Sequence, residues 1–181
     1  VEEQKIRKGN FSFISEVTGD VNLEKCFWEM EKKYYTDPKT FAHKLRYALE
    51  AFAKSEYQRL HPEDGDDLKN KMSARMQQEK NSNNCAANLN GEVKIFLILR
   101  CCLEDKRSYF KTALRKWKEK EEYSIWDIRK VILELYAFGS ESSHPDFLSV
   151  PKLPPTEENC RMYIEILYYL IRGYCRIYYP D

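Results

Sequence analysis

One short segment of the sequence gathers side chains that can exchange protons. A helical pattern stops at Gly139, a serine-rich run containing Glu141 follows, and His144 stands directly before Pro145. A histidine at such a position is partly exposed and titrates near neutral pH, which suits a general base or a phosphate ligand. The alternative is that the serines and His144 only cap the reversal of the chain.

A second set of polar side chains recurs at helical spacing in residues 43–50. Arg46 and Glu50 lie one turn apart on one helix face, with His43 one turn earlier. If this face meets the serine-rich turn, the two regions form one polar cluster. The predicted catalytic set is then Arg46, Glu50, Glu141 and His144. The alternative is an ordinary ion pair on a helix surface, worth about 0.3–0.5 kcal/mol.

A third feature is a local excess of positive charge. Residues 106–120 hold seven basic side chains and one acidic side chain, a net charge of +6. Four of the basic residues align on one face of a helix, so the sequence predicts a nucleic-acid-binding stripe that follows phosphates. These are Arg107, Lys111, Arg115 and Lys118. The alternative is a solvated surface.

Composition limits what the whole chain can do. Its 181 residues correspond to one compact domain, and 30 Lys+Arg against 29 Asp+Glu leave +1. Global charge therefore gives no argument for binding nucleic acid or an anionic membrane. The six cysteines form no CxxC pair, and the sequence contains no paired Cys/His ligands. We therefore expect buried thiols, no metal site and no cofactor.

The elements that must position these residues are helical. Apolar residues at helical spacing predict helices over residues 20–34 and 38–60, with Asp37 as the cap and Pro38 in the first turn. A weaker pattern predicts a helix over 67–78, and a more apolar one predicts one long helix, or two in sequence, over 92–118. A capping pattern at Ser124 predicts a helix to Phe138, and Thr156 begins a last helix to about Tyr179. We therefore predict an all-α bundle of five to seven helices, with an N-terminal arm (1–19) and a helical domain (20–181).

Two segments together resemble the HEPN superfamily of helical nucleic-acid-processing domains. The resemblance is closest to the version at the N terminus of type I restriction endonuclease subunits and in small stand-alone bacterial proteins. Residues 35–50, with Asp37-Pro38, Lys44-Leu45-Arg46 and Leu49-Glu50, are similar to the opening helix of that group. Residues 138–145, from Phe138-Gly139 to His144-Pro145, are similar to its Gly…His-Pro turn.

The resemblance implies a HEPN-like bundle, often dimeric, with a metal-independent ribonuclease site in active members. There a histidine would assist attack by a ribose 2′-hydroxyl, and an arginine would stabilise the charged phosphorane. In active members the arginine precedes the histidine by four to six residues, and here Phe138, Gly139 and Ser140 occupy that window. His144 matches the pattern, but its partner does not, and Arg46 is our candidate for the substitute.

The sequence thus leads to two functional hypotheses. The first is an RNA-directed protein in antiviral defence, restriction-modification or nucleic-acid processing, either a ribonuclease or a degenerate RNA-binding member. The second is a non-catalytic module that assembles with a restriction, helicase or nucleotidyltransferase partner. We expect RNA or DNA, a partner protein or a second copy of the chain as partners, and no membrane. Because residues 1–10 contain no apolar run, we expect a cytoplasmic protein.

Overall fold

The computed structural model describes residues 9–65, 67–82, 86, 88–102, 128–139 and 154–180. These residues form seven α-helices, one short 3₁₀-helix and no β-strand. The α-helices are α1 (Phe13–Thr18), α2 (Val21–Lys32), α3 (Pro38–Leu60), α4 (Leu68–Asn81), α5 (Glu92–Cys102), α6 (Ile128–Phe138) and α7 (Glu157–Tyr178). The prediction of an all-α bundle of five to seven helices is therefore confirmed.

The longest helix, α3, packs against α2, α5, α6 and α7. The side chain of Asp37 accepts a hydrogen bond from the Thr40 N–H at 3.2 Å, and Pro38 occupies the first turn, where its missing N–H costs nothing. These residues fix the start of α3 where the sequence predicted it. The buried face of the helix includes Phe41, Ala42, Leu45, Ala48, Leu49, Phe52 and Ala53.

The described part of the N-terminal arm packs into the core. Phe11, Phe13 and Ile14 are buried, and the ring of Phe11 lies 5.0 Å from that of Phe27 and 5.8 Å from that of Tyr168. The sequence predicted an arm over residues 1–19 and no helix here, because the six residues of α1 are too few for a periodic stripe.

The last two described helices also pack on α3. The Thr156 side chain caps α7 by accepting from the Asn159 N–H at 3.2 Å, as its position in the sequence predicted. Phe138, the last residue of α6, lies with its ring 4.4 Å from that of Tyr163 in α7. This packing places the end of α6 beside both α3 and α7.

Two helices have described bounds other than the predicted ones. Helix α4 extends to Asn81 rather than residue 78, because Lys80 donates to the Leu89 carbonyl at 2.9 Å and ties the last turn to the following segment. The helix predicted over 92–118 is described only to Cys102, as α5. Its remainder and the capping pattern at Ser124 lie outside the described residues. None of the described helices is both long and apolar enough to cross a membrane.

Candidate functional site

The end of α6 lies directly against the backbone of α3. A Cβ atom added at Gly139 would stand 2.3 Å from Arg46 Cβ and 2.5 Å from the Ala42 carbonyl oxygen. Both distances are too short for any real contact, so only glycine allows this approach. The sequence predicted Gly139 as a helix stop. The structure shows that it also brings the end of α6 into contact with Arg46.

Arg46, Glu50 and Tyr136 form a triangle of hydrogen bonds across α3 and α6. Arg46 Nε donates to Glu50 Oε1 at 3.1 Å, and Arg46 Nη2 donates to the Tyr136 hydroxyl at 3.1 Å. The Tyr136 hydroxyl donates in turn to Glu50 Oε1 at 2.8 Å. The Arg46 and Glu50 side chains remain 33% and 23% exposed, so solvent reaches the triangle although its members are held by hydrogen bonds.

Burial and hydrogen bonding raise the pKa values of two members of the triangle, Tyr136 and Arg46. Burial raises the pKa of Tyr136 to about 12, and the hydrogen bond to Glu50 contributes, so the phenol keeps its proton at neutral pH. Desolvation alone would lower the pKa of Arg46, but its contacts with Tyr136 and Glu50 outweigh this effect and raise it. The site therefore holds a permanent guanidinium charge in a fixed orientation.

A second cation completes the cluster. Lys94 Nζ of α5 lies 5.2 Å from the centre of the Tyr136 ring, and Arg46 Cζ lies 4.5 Å from the same centre. Both distances are within the range of cation–π attraction. Helix α3 thus contributes Arg46 and Glu50, α6 contributes Tyr136, and α5 places Lys94 against the Tyr136 ring.

The solvent side of α3 extends this cluster into a longer polar surface. Positions at spacings of three and four residues place His43, Tyr47 and Lys54 on the same face as Arg46 and Glu50. Tyr47 is 64% exposed, one of four large hydrophobic side chains exposed in the described residues. Cations and an exposed ring on one face are suited to phosphates and bases.

The structure describes only part of the predicted site. It brings Arg46 and Glu50 together and places Gly139 against Arg46. The other predicted residues lie outside the described ranges: Glu141 and His144 of the catalytic set, and Arg107, Lys111, Arg115 and Lys118 of the basic stripe. The described residues contain no group of three or more His, Cys, Asp or Glu side chains placed to hold a metal ion.

Sequence reasoning missed two members of the cluster. Tyr136 lies three residues before Gly139, so both occupy neighbouring positions on the last turn of α6, a spacing that could have indicated it. Lys94 is one of two cations that flank the apolar run Ile95–Leu99 of α5, and the Cζ atom of the other, Arg100, lies 3.6 Å from the centre of the Tyr178 ring. A cation beside an apolar run was therefore the signal for a tyrosine contact.

Comparison with known proteins gives no match: none of the family models, the curated proteins or the solved structures is detectably similar to the chain.

Proposed function

We propose that this protein is an RNA-directed helical domain with a metal-independent ribonuclease site formed by Arg46 and His144. The observation that carries the proposal is the contact of Gly139 with Arg46. His144 follows Gly139 by five residues, and five residues span at most about 18 Å. This length of chain allows His144 to approach the fixed guanidinium of Arg46, although no arginine precedes that histidine at the spacing of active HEPN members.

The proposed reaction is an internal transesterification. His144 removes the proton of a ribose 2′-hydroxyl, the 2′-oxygen forms a bond to the adjacent phosphorus, and the bond from phosphorus to the 5′-oxygen breaks. The leaving 5′-oxygen takes up a proton from water, and His144 returns its proton to the solvent, which leaves a 2′,3′-cyclic phosphate and a 5′-hydroxyl. Arg46 stabilises the negative charge that develops on the phosphorane oxygens, and a preorganised donor of this kind contributes about 10²–10³ in rate.

Glu50 and Tyr136 are positioning residues in this account. The carboxylate of Glu50 holds Arg46 Nε, and the Tyr136 hydroxyl holds both Arg46 Nη2 and Glu50. A guanidinium fixed by two partners needs no reorganisation when charge develops, which is the condition for electrostatic catalysis. Glu141 is proposed to complete the polar cluster from the serine-rich turn.

Substrate binding is assigned to two basic surfaces. The first is the outer face of α3, where Lys54 and Tyr47 are exposed and Tyr47 offers a ring for base stacking. The second is the predicted stripe of Arg107, Lys111, Arg115 and Lys118. The α3 face offers cations and an exposed ring, and the predicted stripe offers cations alone. Neither set is suited to base edges, so we propose single-stranded RNA with little sequence preference.

The proposal is tested with end-labelled single-stranded RNA in the presence of a chelator. Cleavage of RNA, with products ending in a 2′,3′-cyclic phosphate, is the expected result. An all-DNA strand of the same sequence lacks the 2′-hydroxyl and should remain intact. Cleavage of both strands at equal rates, or intact RNA after long incubation, would contradict the proposal.

A second candidate is a non-catalytic module that assembles with a restriction, helicase or nucleotidyltransferase partner, or with a second copy of itself in the cytoplasm. Two exposed apolar side chains favour it, because Val21 is 70% exposed and Tyr35 is 69% exposed. The engagement of Arg46 by Glu50 and Tyr136 also suits a purely structural ion pair. Wild-type protein that neither cleaves nor binds RNA would support this candidate.

A further inference from the structure

A surface cavity lies at the junction of α1 and the last turns of α7, on residues that the proposed RNA site does not use. Its volume is about 220 Å³. Phe13 and Val17 of α1 and Pro180 form the apolar part of its wall, and Arg172 and Arg176 of α7 form the charged part. The cavity therefore combines an apolar rim with two cations.

The two arginines are placed to act on one ligand. Arg172 and Arg176 are one turn apart, so their side chains leave the same face of α7 with Cβ atoms about 5–6 Å apart. Arg172 Cζ lies 4.7 Å from the centre of the Phe13 ring, a cation–π contact that restricts the guanidinium. Within the described part of the chain, no carboxylate forms an ion pair with Arg172 or Arg176.

The polar groups behind the cavity do not cancel this charge. The Tyr179 hydroxyl donates to Glu56, and Arg59 already holds both oxygens of that carboxylate at 3.0 and 3.1 Å. Burial, together with Glu56, raises the pKa of the Cys175 thiol to about 12, so the thiol is neutral. The carbonyl end of α7 contributes roughly −0.5 of a charge. Among the described residues around the cavity, positive charge therefore predominates.

We propose that this cavity binds a dianionic phosphate group, either free or at the end of a small organic molecule. A phosphomonoester carries about −1.5 to −2 at pH 7 and offers three acceptor oxygens, which match two guanidinium groups. A carboxylate or a phosphodiester carries only one charge. Sites for whole drug-sized ligands occupy about 300–1,000 Å³, so this cavity holds the phosphate and the few atoms next to it.

Isothermal titration calorimetry on the full chain tests the proposal with phenyl phosphate, inorganic phosphate and benzoate as probes. Phenyl phosphate is expected to bind at least tenfold more tightly than benzoate, which has a similar ring but a single charge. If inorganic phosphate binds with the same affinity as phenyl phosphate, the ligand is free phosphate. Tighter binding of phenyl phosphate would identify an organic monoester that also contacts Phe13 and Val17.

Variants locate the binding. Arg172→Gln and Arg176→Gln should each weaken phenyl phosphate binding at least tenfold, while Arg161→Gln on the exposed start of the same helix should leave it unchanged. Val17→Glu keeps both arginines but adds a carboxylate at the rim, and it should weaken binding similarly. Thermal melting followed by circular dichroism checks that each variant is folded. Equal affinity for benzoate, no binding at millimolar phosphate, or binding unchanged in folded Arg172→Gln would overturn the proposal.

Discussion

The hydroxyl of Tyr136 donates to Glu50 Oε1 across 2.8 Å, and this bond joins the last turn of α6 to the middle of α3. Tyr136 also accepts from Arg46, so one phenol fixes both members of the ion pair. The orientation of the Arg46 guanidinium therefore depends on a residue 90 positions away in sequence.

Removal of the Tyr136 hydroxyl should break hydrogen bonds of the triangle without leaving a cavity in the core. Tyr136→Phe is expected to lower the free energy of unfolding by about 1 kcal/mol, because two hydrogen bonds to charged groups are lost from a partly exposed site. Urea denaturation gives the value. Tyr47→Phe, which removes a hydroxyl from an exposed ring, is the matched control and should change stability by less than ~0.5 kcal/mol. Equal effects of the two changes would mean that Tyr136 does not brace Arg46.

The close approach of Gly139 predicts a larger cost for the smallest substitution. Gly139→Ala places a methyl group against Arg46 Cβ and the Ala42 carbonyl, so α6 must shift, at a cost of about 1–3 kcal/mol. Gly19→Ala is the comparison, because Gly19 has φ +74° but no atoms within 4 Å of the added Cβ. Gly19→Ala therefore introduces backbone strain without a steric clash. RNA cleavage should fall only in Gly139→Ala, and a loss of cleavage in both variants would contradict the assigned role of the contact.

Local sequence patterns predict much of the fold but only part of the candidate site. Helices α3 and α7 depend on local signals, namely the capping residues Asp37 and Thr156 and the apolar spacing that follows each of them. The sequence therefore predicts the bounds of these helices within a few positions. The Arg46–Glu50 pair is also local. Tyr136 and Lys94 reach the site through the packing of α5 and α6 on α3, and their local spacing does not tell which residues of α3 they meet.

Burial of Glu134 predicts an unusual dependence of stability on pH. Desolvation raises the pKa of its carboxyl group from 4.5 to about 7 in the folded protein. Between these pH values the Glu134 carboxyl is ionised in the unfolded chain but keeps its proton in the folded protein. The free energy of unfolding therefore falls as pH rises from about 4.5 to about 7. Above pH 7 it falls no further on account of Glu134.

Glu134→Gln should remove this dependence and raise stability at pH 8 relative to wild type, while changing it little at pH 4.5. Urea denaturation at the two pH values measures both effects. Glu16→Gln, a change to an exposed carboxylate, should leave the pH profile as it is. A wild-type profile that is flat between pH 5 and 7, or one that Glu134→Gln does not alter, would show that Glu134 ionises normally.

The basic stripe predicts strongly salt-dependent binding of RNA. If Arg107, Lys111 and Arg115 each neutralise a phosphate, the slope of log K against log salt should lose about 2 when all three become glutamate. Fluorescence anisotropy with a labelled oligonucleotide over a salt series gives the slope. The control is a triple variant in which glutamate replaces Lys25, Lys69 and Lys71, because it changes the net charge by the same amount. The same slope in both triple variants would assign the stripe to solvated surface.

The role of Arg46 and His144 in RNA cleavage is decided by the cleavage rate in the presence of a chelator, measured for wild type, His144→Ala, Arg46→Ala and the control Arg161→Gln. We expect His144→Ala to lower the rate by about 10²–10⁴, because the general base is lost, and Arg46→Ala to lower it by about 10²–10³. Arg161→Gln should leave the rate unchanged. All three variants should remain helical. Cleavage at the wild-type rate in either His144→Ala or Arg46→Ala, or no cleavage by the wild type, would contradict this role.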